Sequence, residues 1–268
     1  MRVTLLLFLI PLILPWRTLA EQEPEGRPQF ITASIAYHEG RFDDCVTGYQ
    51  ATISLHFEVP FSKMMIGRCY GLNGMIEQGI QALDEAAEFE FPGAAILRTD
   101  PDFDALRKDS RFADIVTKVA SNAQPCGPRA RRHQFDFWLG VWEVFDTKGR
   151  LIGVDRVESA EGGCAIRESY TGAAGDTGES LTYYSRLTAL WRQIWMDPTG
   201  QQQDLSGEFG NNTMTLSQIT YSGGLKTILK VSYAPSDDGT VHQLSQRSVD
   251  DGETWITVGD FIYKPKAQ

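Results

Sequence analysis

Three short runs in the C-terminal half carry polar side chains at spacings that could support chemistry or ligand recognition. They read Cys164-Ala-Ile-Arg-Glu-Ser-Tyr170, Ser180-Leu-Thr-Tyr-Tyr184 and Trp191-Arg-Gln-Ile-Trp195. Residues two apart in a strand share a face. One set of faces therefore carries Cys164, Ile166, Glu168 and Tyr170, then Ser180, Thr182 and Tyr184, then Trp191, Gln193 and Trp195. Turned inward, these faces would line a lumen with aromatic surface and a few fixed polar groups, a composition suited to one small amphipathic ligand. Burial would raise the Glu168 carboxyl pKa and fit it for general acid or base work. No second carboxylate stands out at a matched position, so paired-acid hydrolysis has little support. A hydrogen-bonding role in a packed barrel is the commoner fate of such a group.

Other chemistries find less in the chain. His133 and His242 are the histidines of this half, and no Cys-x-x-Cys or Cys/His cluster has zinc-ligand spacing. Neither a nucleophile elbow nor a phosphate-cradling glycine loop is present. The formal charge of −10 is shared by both halves and argues against nucleic acid or anionic lipid as partner. The run Arg129, Arg131 and Arg132 reads as part of a solvated connector. Asn211-Asn212-Thr213 is a glycosylation acceptor only in a eukaryotic secretory route, and otherwise a turn.

The elements that must position these residues begin after a leader. Arg2, the apolar run Leu5–Ile13, Pro15 and the small Ala20 predict a secretory signal over 1–20, too short for a membrane anchor. Four cysteines in an exported chain favour disulfides, with three pairings open in principle. From Phe30 an echo appears: Ala33 and Gly67, Gly40 and Gly74, Phe42 and Ile76, Tyr49 and Leu83, Thr52 and Ala86 each lie 34 residues apart. This pattern resembles tetratricopeptide repeats, and the run Leu97–Phe112 resembles the closing segment of such domains. Asp100 and Asp109 are placed as helix caps, and Phe103, Leu106, Phe112, Ile115 and Val116 as the apolar seal. By the resemblance, Cys45 takes a small-residue position on one helix and Cys69 falls on the antiparallel next helix, so the two thiols could meet. Two repeats barely enclose a groove, which favours docking or scaffolding over a specific peptide site.

After a Pro/Gly/Arg linker, glycine-bearing turns separate about nine short alternating runs, the pattern of an antiparallel meander closed as a barrel or sandwich. The run Phe135–Val144 contains Gly140-Val141-Trp142, which resembles the G-x-W opening of calycin-type barrels such as lipocalins. The longer Phe-Asp-Phe-Trp-Leu-Gly-x-Trp string resembles an uncharacterised bacterial family of calycin-like domains. That likeness implies a barrel of eight to ten strands and, with a Cys just ahead of the motif, a Cys126–Cys164 bridge contributing roughly 3–5 kcal/mol. It also implies structural roles for Trp138 and Trp142. Haem-binding calycin-like barrels use one axial His, which makes His242 the candidate for that cofactor; a lone strand His is more often structural. Ser248-Val-Asp-Asp-Gly-Glu-Thr-Trp255 resembles the Asp-box of sialidase propellers, a hairpin brace with Trp255 packed beneath it.

The expectation is thus an exported α+β two-domain protein, periplasmic or secreted. A tetratricopeptide-like helical domain spans 28–120, a linker 121–134 and a calycin-like antiparallel β-barrel 135–265. The expected function is binding of a small, largely apolar ligand at Glu168, Ser180, Tyr184, Trp191, Gln193 and Trp195, with the helices for docking. No catalytic residue, metal or cofactor is assigned, and no nucleic-acid partner or membrane span is expected. Two alternatives stand beside this: a weak hydrolase or isomerase using Glu168 with Ser180 or Gln193, and a scaffold acting through the helical repeats.

Overall fold

The computed structural model describes residues 24–124, 126 and 130–267; the expected signal segment and Arg129 lie outside them. Six α-helices come first: α1 (Arg27–His38), α2 (Phe42–Ser54), α3 (Val59–Leu72), α4 (Ile76–Glu88), α5 (Ala94–Thr99) and α6 (Phe112–Ser121). Ten strands follow: β1 (Gly140–Asp146), β2 (Leu151–Ala160), β3 (Ala165–Gly172), β4 (Thr177–Ser185), β5 (Leu190–Met196), β6 (Gln202–Gly210), β7 (Thr213–Ser222), β8 (Leu225–Pro235), β9 (Val241–Ser248) and β10 (Ile256–Pro265). The layout is the expected helical unit followed by a β-barrel. Among the described residues no helix is long and apolar enough to cross a membrane.

The helices pair as two hairpins, α1 with α2 and α3 with α4, and small residues let them close. A Cβ on Gly48 would sit 2.7 Å from the Ala33 side chain, and one on Gly67 would sit 2.8 Å from Leu83. Gly40 and Gly74, at the echoed turn positions, both take positive φ, +72° and +76°. Phe103, Leu106, Phe112, Ile115 and Val116 seal the second hairpin. The Asp100 side chain accepts the Asp102 amide at the start of a short 3-10 turn, whereas the Asp109 side chain accepts from Arg111. The Cys45–Cys69 disulfide ties the two hairpins together.

Each strand pairs with its sequence neighbours, and β1 pairs with β10, so the ten strands form one closed up-and-down barrel. Closure removes every sheet edge. Ten strands also enclose more space than an eight-stranded barrel, whose interior side chains just fill it. One end is plugged by aromatics from the opening motif. Phe135 and Trp138 are fully buried and stack at 5.0 Å, and Tyr233 lies 4.9 Å from Trp138. Trp142 packs edge-on against Tyr263, and its indole N–H donates to the Trp138 carbonyl at 2.9 Å.

The helical unit docks on this plugged end. Val59 is buried in the barrel core cluster, and its amide donates to the Leu187 carbonyl at 2.9 Å in the β4–β5 turn. The basic run is not a solvated connector where it is described. Arg132 bonds the buried Glu90 carboxylate at 2.7 Å, and the Arg131 guanidinium lies 3.9 Å over the Phe89 ring. A buried carboxylate needs such a partner, and Glu90 lies too far off in sequence for the pairing to be legible there. The Cys126–Cys164 disulfide anchors the linker to the β2–β3 turn.

Candidate functional site

The inward faces of the strands divide the lumen into two levels. Near the plug, Tyr184 and Trp191 are buried and meet edge to face at 6.0 Å. The Trp191 N–H donates to Gln134 Oε1 at 3.1 Å, and burial pushes the Tyr184 hydroxyl up to about 12. Neither residue lines the cavity in the lumen; they belong to the packed floor with Phe135, and Tyr184 instead borders a cleft beside Cys126 and Arg132.

Above that floor a cavity of about 580 Å³ opens at the end away from the helices. Glu168, Gln193 and Trp195 line it, joined by Gln203, Gln218 and Gln243 from β6, β7 and β9. The volume is in the range of small-molecule sites. Side-chain amides present both donors and acceptors, so this interior is more polar than a largely apolar ligand requires. Ser180 stands between Glu168 and Gln193. Its hydroxyl donates to Glu168 Oε2 at 2.5 Å, and Gln193 Nε2 lies 3.5 Å from the same hydroxyl oxygen. The Tyr233 hydroxyl in turn donates to Gln193 Oε1 at 3.3 Å. The structure thus joins Glu168, Ser180 and Gln193 in one buried chain, sets Trp195 above it, and leaves Tyr184 and Trp191 below.

Two glycines hold aromatic rings flat against the wall. A Cβ on Gly178 would lie 2.5 Å from Trp195, and one on Gly153 would lie 2.6 Å from Tyr170. Without those glycines the rings would have to swing into the lumen.

Sequence reasoning missed the second acid. Asp155 on β2 is fully buried and points into the barrel, one rung from Glu168: Asp155 pairs with Tyr170, and Val157 with Glu168. Neither Asp155 oxygen meets a partner in hydrogen-bond geometry. Burial pushes its carboxyl up, against smaller downward pulls from the neighbouring Glu168 carboxyl and the Arg156 backbone amide. Glu168 is pushed well up by burial and then by the charge of Asp155. The surrounding tyrosines stay protonated, because burial raises Tyr233 and Tyr263 far above the ordinary phenol value and the two acids raise them further. The available signal was strand phase, since Gly153, Asp155 and Val157 share the inward face.

The remaining candidates lie elsewhere. His242 is on the outer barrel face, paired with Asp260 at 2.8 Å, and His133 pairs with Asp136 at 2.5 Å. Neither reaches the lumen for an axial haem bond. Among the described residues no cluster of three acidic, Cys or His side chains could hold a metal ion. The Ser248–Trp255 segment is a turn at the cavity mouth. Asp250 Oδ1 accepts the Thr254 amide at 2.9 Å, Gly252 takes φ +92°, and Lys230 covers Trp255 at 3.9 Å. Neither a scan against protein-family models nor a search of curated proteins finds a match to this chain.

Proposed function

We propose that this is an exported binding protein whose barrel, built like those of the calycins, holds one small amphipathic ligand. The observation that carries this reading is the open cavity of about 580 Å³ above a fully packed floor. A barrel evolved only as a packed module would fill that space with side chains, because an interior void forfeits contact energy. Trp195 supplies a flat apolar face, while Glu168, Ser180 and Gln193 form the polar end. Tyr184 and Trp191 support them from beneath. The helical unit, resembling two tetratricopeptide repeats over 28–120, serves as a docking body seated on the closed end, so the mouth stays free.

Catalysis by paired acids has less support. A hydrolase of that kind needs both carboxyls at the substrate, and Asp155 is enclosed with no exposed surface. Native mass spectrometry of freshly purified protein tests the binding reading, since a tightly held ligand travels with the chain. A bound ligand should quench tryptophan emission, and Trp195→Ala should weaken it by about 1–3 kcal/mol through lost apolar contact. Unchanged affinity in Trp195→Ala, with a ligand demonstrably bound, would move the site out of the cavity.

A further inference from the structure

Among the described residues Asp155 is the buried acid whose two oxygens meet no partner in hydrogen-bond geometry; Trp138, Thr182 and Tyr184 of the same barrel carry single orphaned atoms. Asp155 is fully buried, and it sits behind Glu168, which is itself 6% exposed and faces the cavity. The two carboxyls influence each other as hydrogen-bonding neighbours, and the other groups packed around the pair are engaged elsewhere. Tyr170 donates its hydroxyl to the Ile152 carbonyl at 3.1 Å, Tyr233 to Gln193 at 3.3 Å and Tyr263 to Gln243 at 2.5 Å. Ser180 serves Glu168, and Trp142, the β1 neighbour of Asp155, donates to the Trp138 carbonyl. The charged side chains on the cavity wall besides Glu168 are Asp176 and Arg247, both exposed at the mouth. No Lys or Arg side-chain charge is among the groups that influence either acid; Arg156 acts on Asp155 through its backbone amide alone.

Two adjacent buried carboxyls without a cation are costly in any charged state, because an unpaired buried charge is among the most expensive features a fold can keep. A metal ion would need further ligands than two carboxylates, and none is clustered there. An alkylammonium group fits better: one positive charge, three donors and a narrow stem that can reach Glu168 past Trp195. The aromatic face of Trp195 beside the path also favours a cation over an anion.

We propose that the floor of the cavity, Glu168 backed by Asp155, is a binding site for the protonated amine of the ligand, with Gln193 and Ser180 orienting it and Trp195 covering its apolar body. This rests on the ligand-binding reading above and names the ligand class. The amine takes the place of the proton that the pair otherwise retains, so binding releases protons and strengthens as pH rises through the range where the empty pair titrates. It weakens again where the amine itself deprotonates.

Isothermal titration with three probes that share a phenethyl body tests this: 2-phenylethylamine, 2-phenylethanol and 3-phenylpropanoate. The amine should bind about thirtyfold or more tighter than the alcohol, the scale expected of a desolvated charge pair. The propanoate should bind least. Runs in buffers of different ionisation enthalpy should show proton release with the amine alone. Glu168→Gln and Asp155→Asn should each erase the preference for amine, read as the ratio of amine to alcohol affinity within each variant. Thermal unfolding in parallel should show both variants at least as stable as the parent, since each removes a buried acid. Equal affinity for amine and alcohol, or a preference that survives in both variants, overturns the amine site but leaves ligand binding standing. Failure of all three probes to bind at millimolar concentration overturns the site and the binding reading together.

Discussion

The clearest test of the cavity wall is Gly178→Ala. An added Cβ would lie 2.5 Å from Trp195 Cζ2, 2.8 Å from Cε2 and 2.9 Å from Nε1. Ordinary carbon contacts need about 3.5–4.0 Å, so the indole must retreat by about 1 Å. The wall blocks one direction and the lumen is open in the other, so the ring moves into the cavity. Overpacking in a closed core costs about 1–3 kcal/mol, but here free space receives the ring, and Ala recovers part of the backbone entropy that Gly loses in a strand. The net stability change should therefore be small, about 0–2 kcal/mol in urea unfolding. Recognition should suffer more: tryptophan emission should shift, and 2-phenylethanol affinity should fall by about tenfold, or 1.4 kcal/mol. Gly210→Ala is the matched control, a strand glycine with nothing within 4 Å of its Cβ position. Emission and affinity unchanged in Gly178→Ala, relative to that control, would refute the account of the glycine as a seat for the indole.

Two further outcomes follow from the buried acids and the linker. Burial raises the Asp155 carboxyl from its ordinary 3.8 to about 6, so the native state binds more protons than the unfolded chain across that window. Stability is lost as pH rises through it, and the loss belongs to the Asp155–Glu168 pair, which titrates together. Asp155→Asn should be more stable than the parent at pH 7 and lose that advantage below pH 4, and chemical denaturation at both values checks it. For the linker, the paired change Cys126→Ser and Cys164→Ser should lower stability by about 2–5 kcal/mol. Urea unfolding measures the loss, and equal stability with and without the bridge would show that the noncovalent contacts of Arg131, Arg132 and Gln134 hold the linker without it.

Much of this architecture is legible in the chain. Glycine-bearing turns and alternating runs predict the barrel, and the 34-residue echo anticipates two helical hairpins. Strand phase also brings Glu168, Ser180 and Gln193 to one place. Phase gives the side of the sheet a residue faces, however, and not its height along the barrel. Height depends on register and strand tilt, which is why Trp191 and Trp195 share a face yet lie in the floor and at the cavity. Asp155 was hidden for a related reason. On β2 the outward Val154 is more apolar than the inward Gly153 and Asp155 on either side of it, so hydrophobic alternation points the wrong way. Strand phase from β6 to β10 places Gln203, Gln218 and Gln243, but each looks like an ordinary surface amide until closure turns it inward.

The β1–β10 seam has a consequence for how the molecule comes to exist. Trp142 aligns with Pro265 and Asp146 with Phe261, so the first strand of the barrel waits for the last one. Every other pairing joins sequence neighbours and can form as a local hairpin. Non-local pairing is the slow part of building such a sheet. Until the C-terminal strand arrives, β1 and β9 remain open templates for any other extended chain, the period of greatest exposure to misassembly. The Cys126–Cys164 bridge can form before that moment, because both thiols precede β4, and it shortens the reach of the waiting end. Strand β10 is therefore the clasp of the barrel, and its loss would leave an unclosed ribbon with no cavity to hold a ligand.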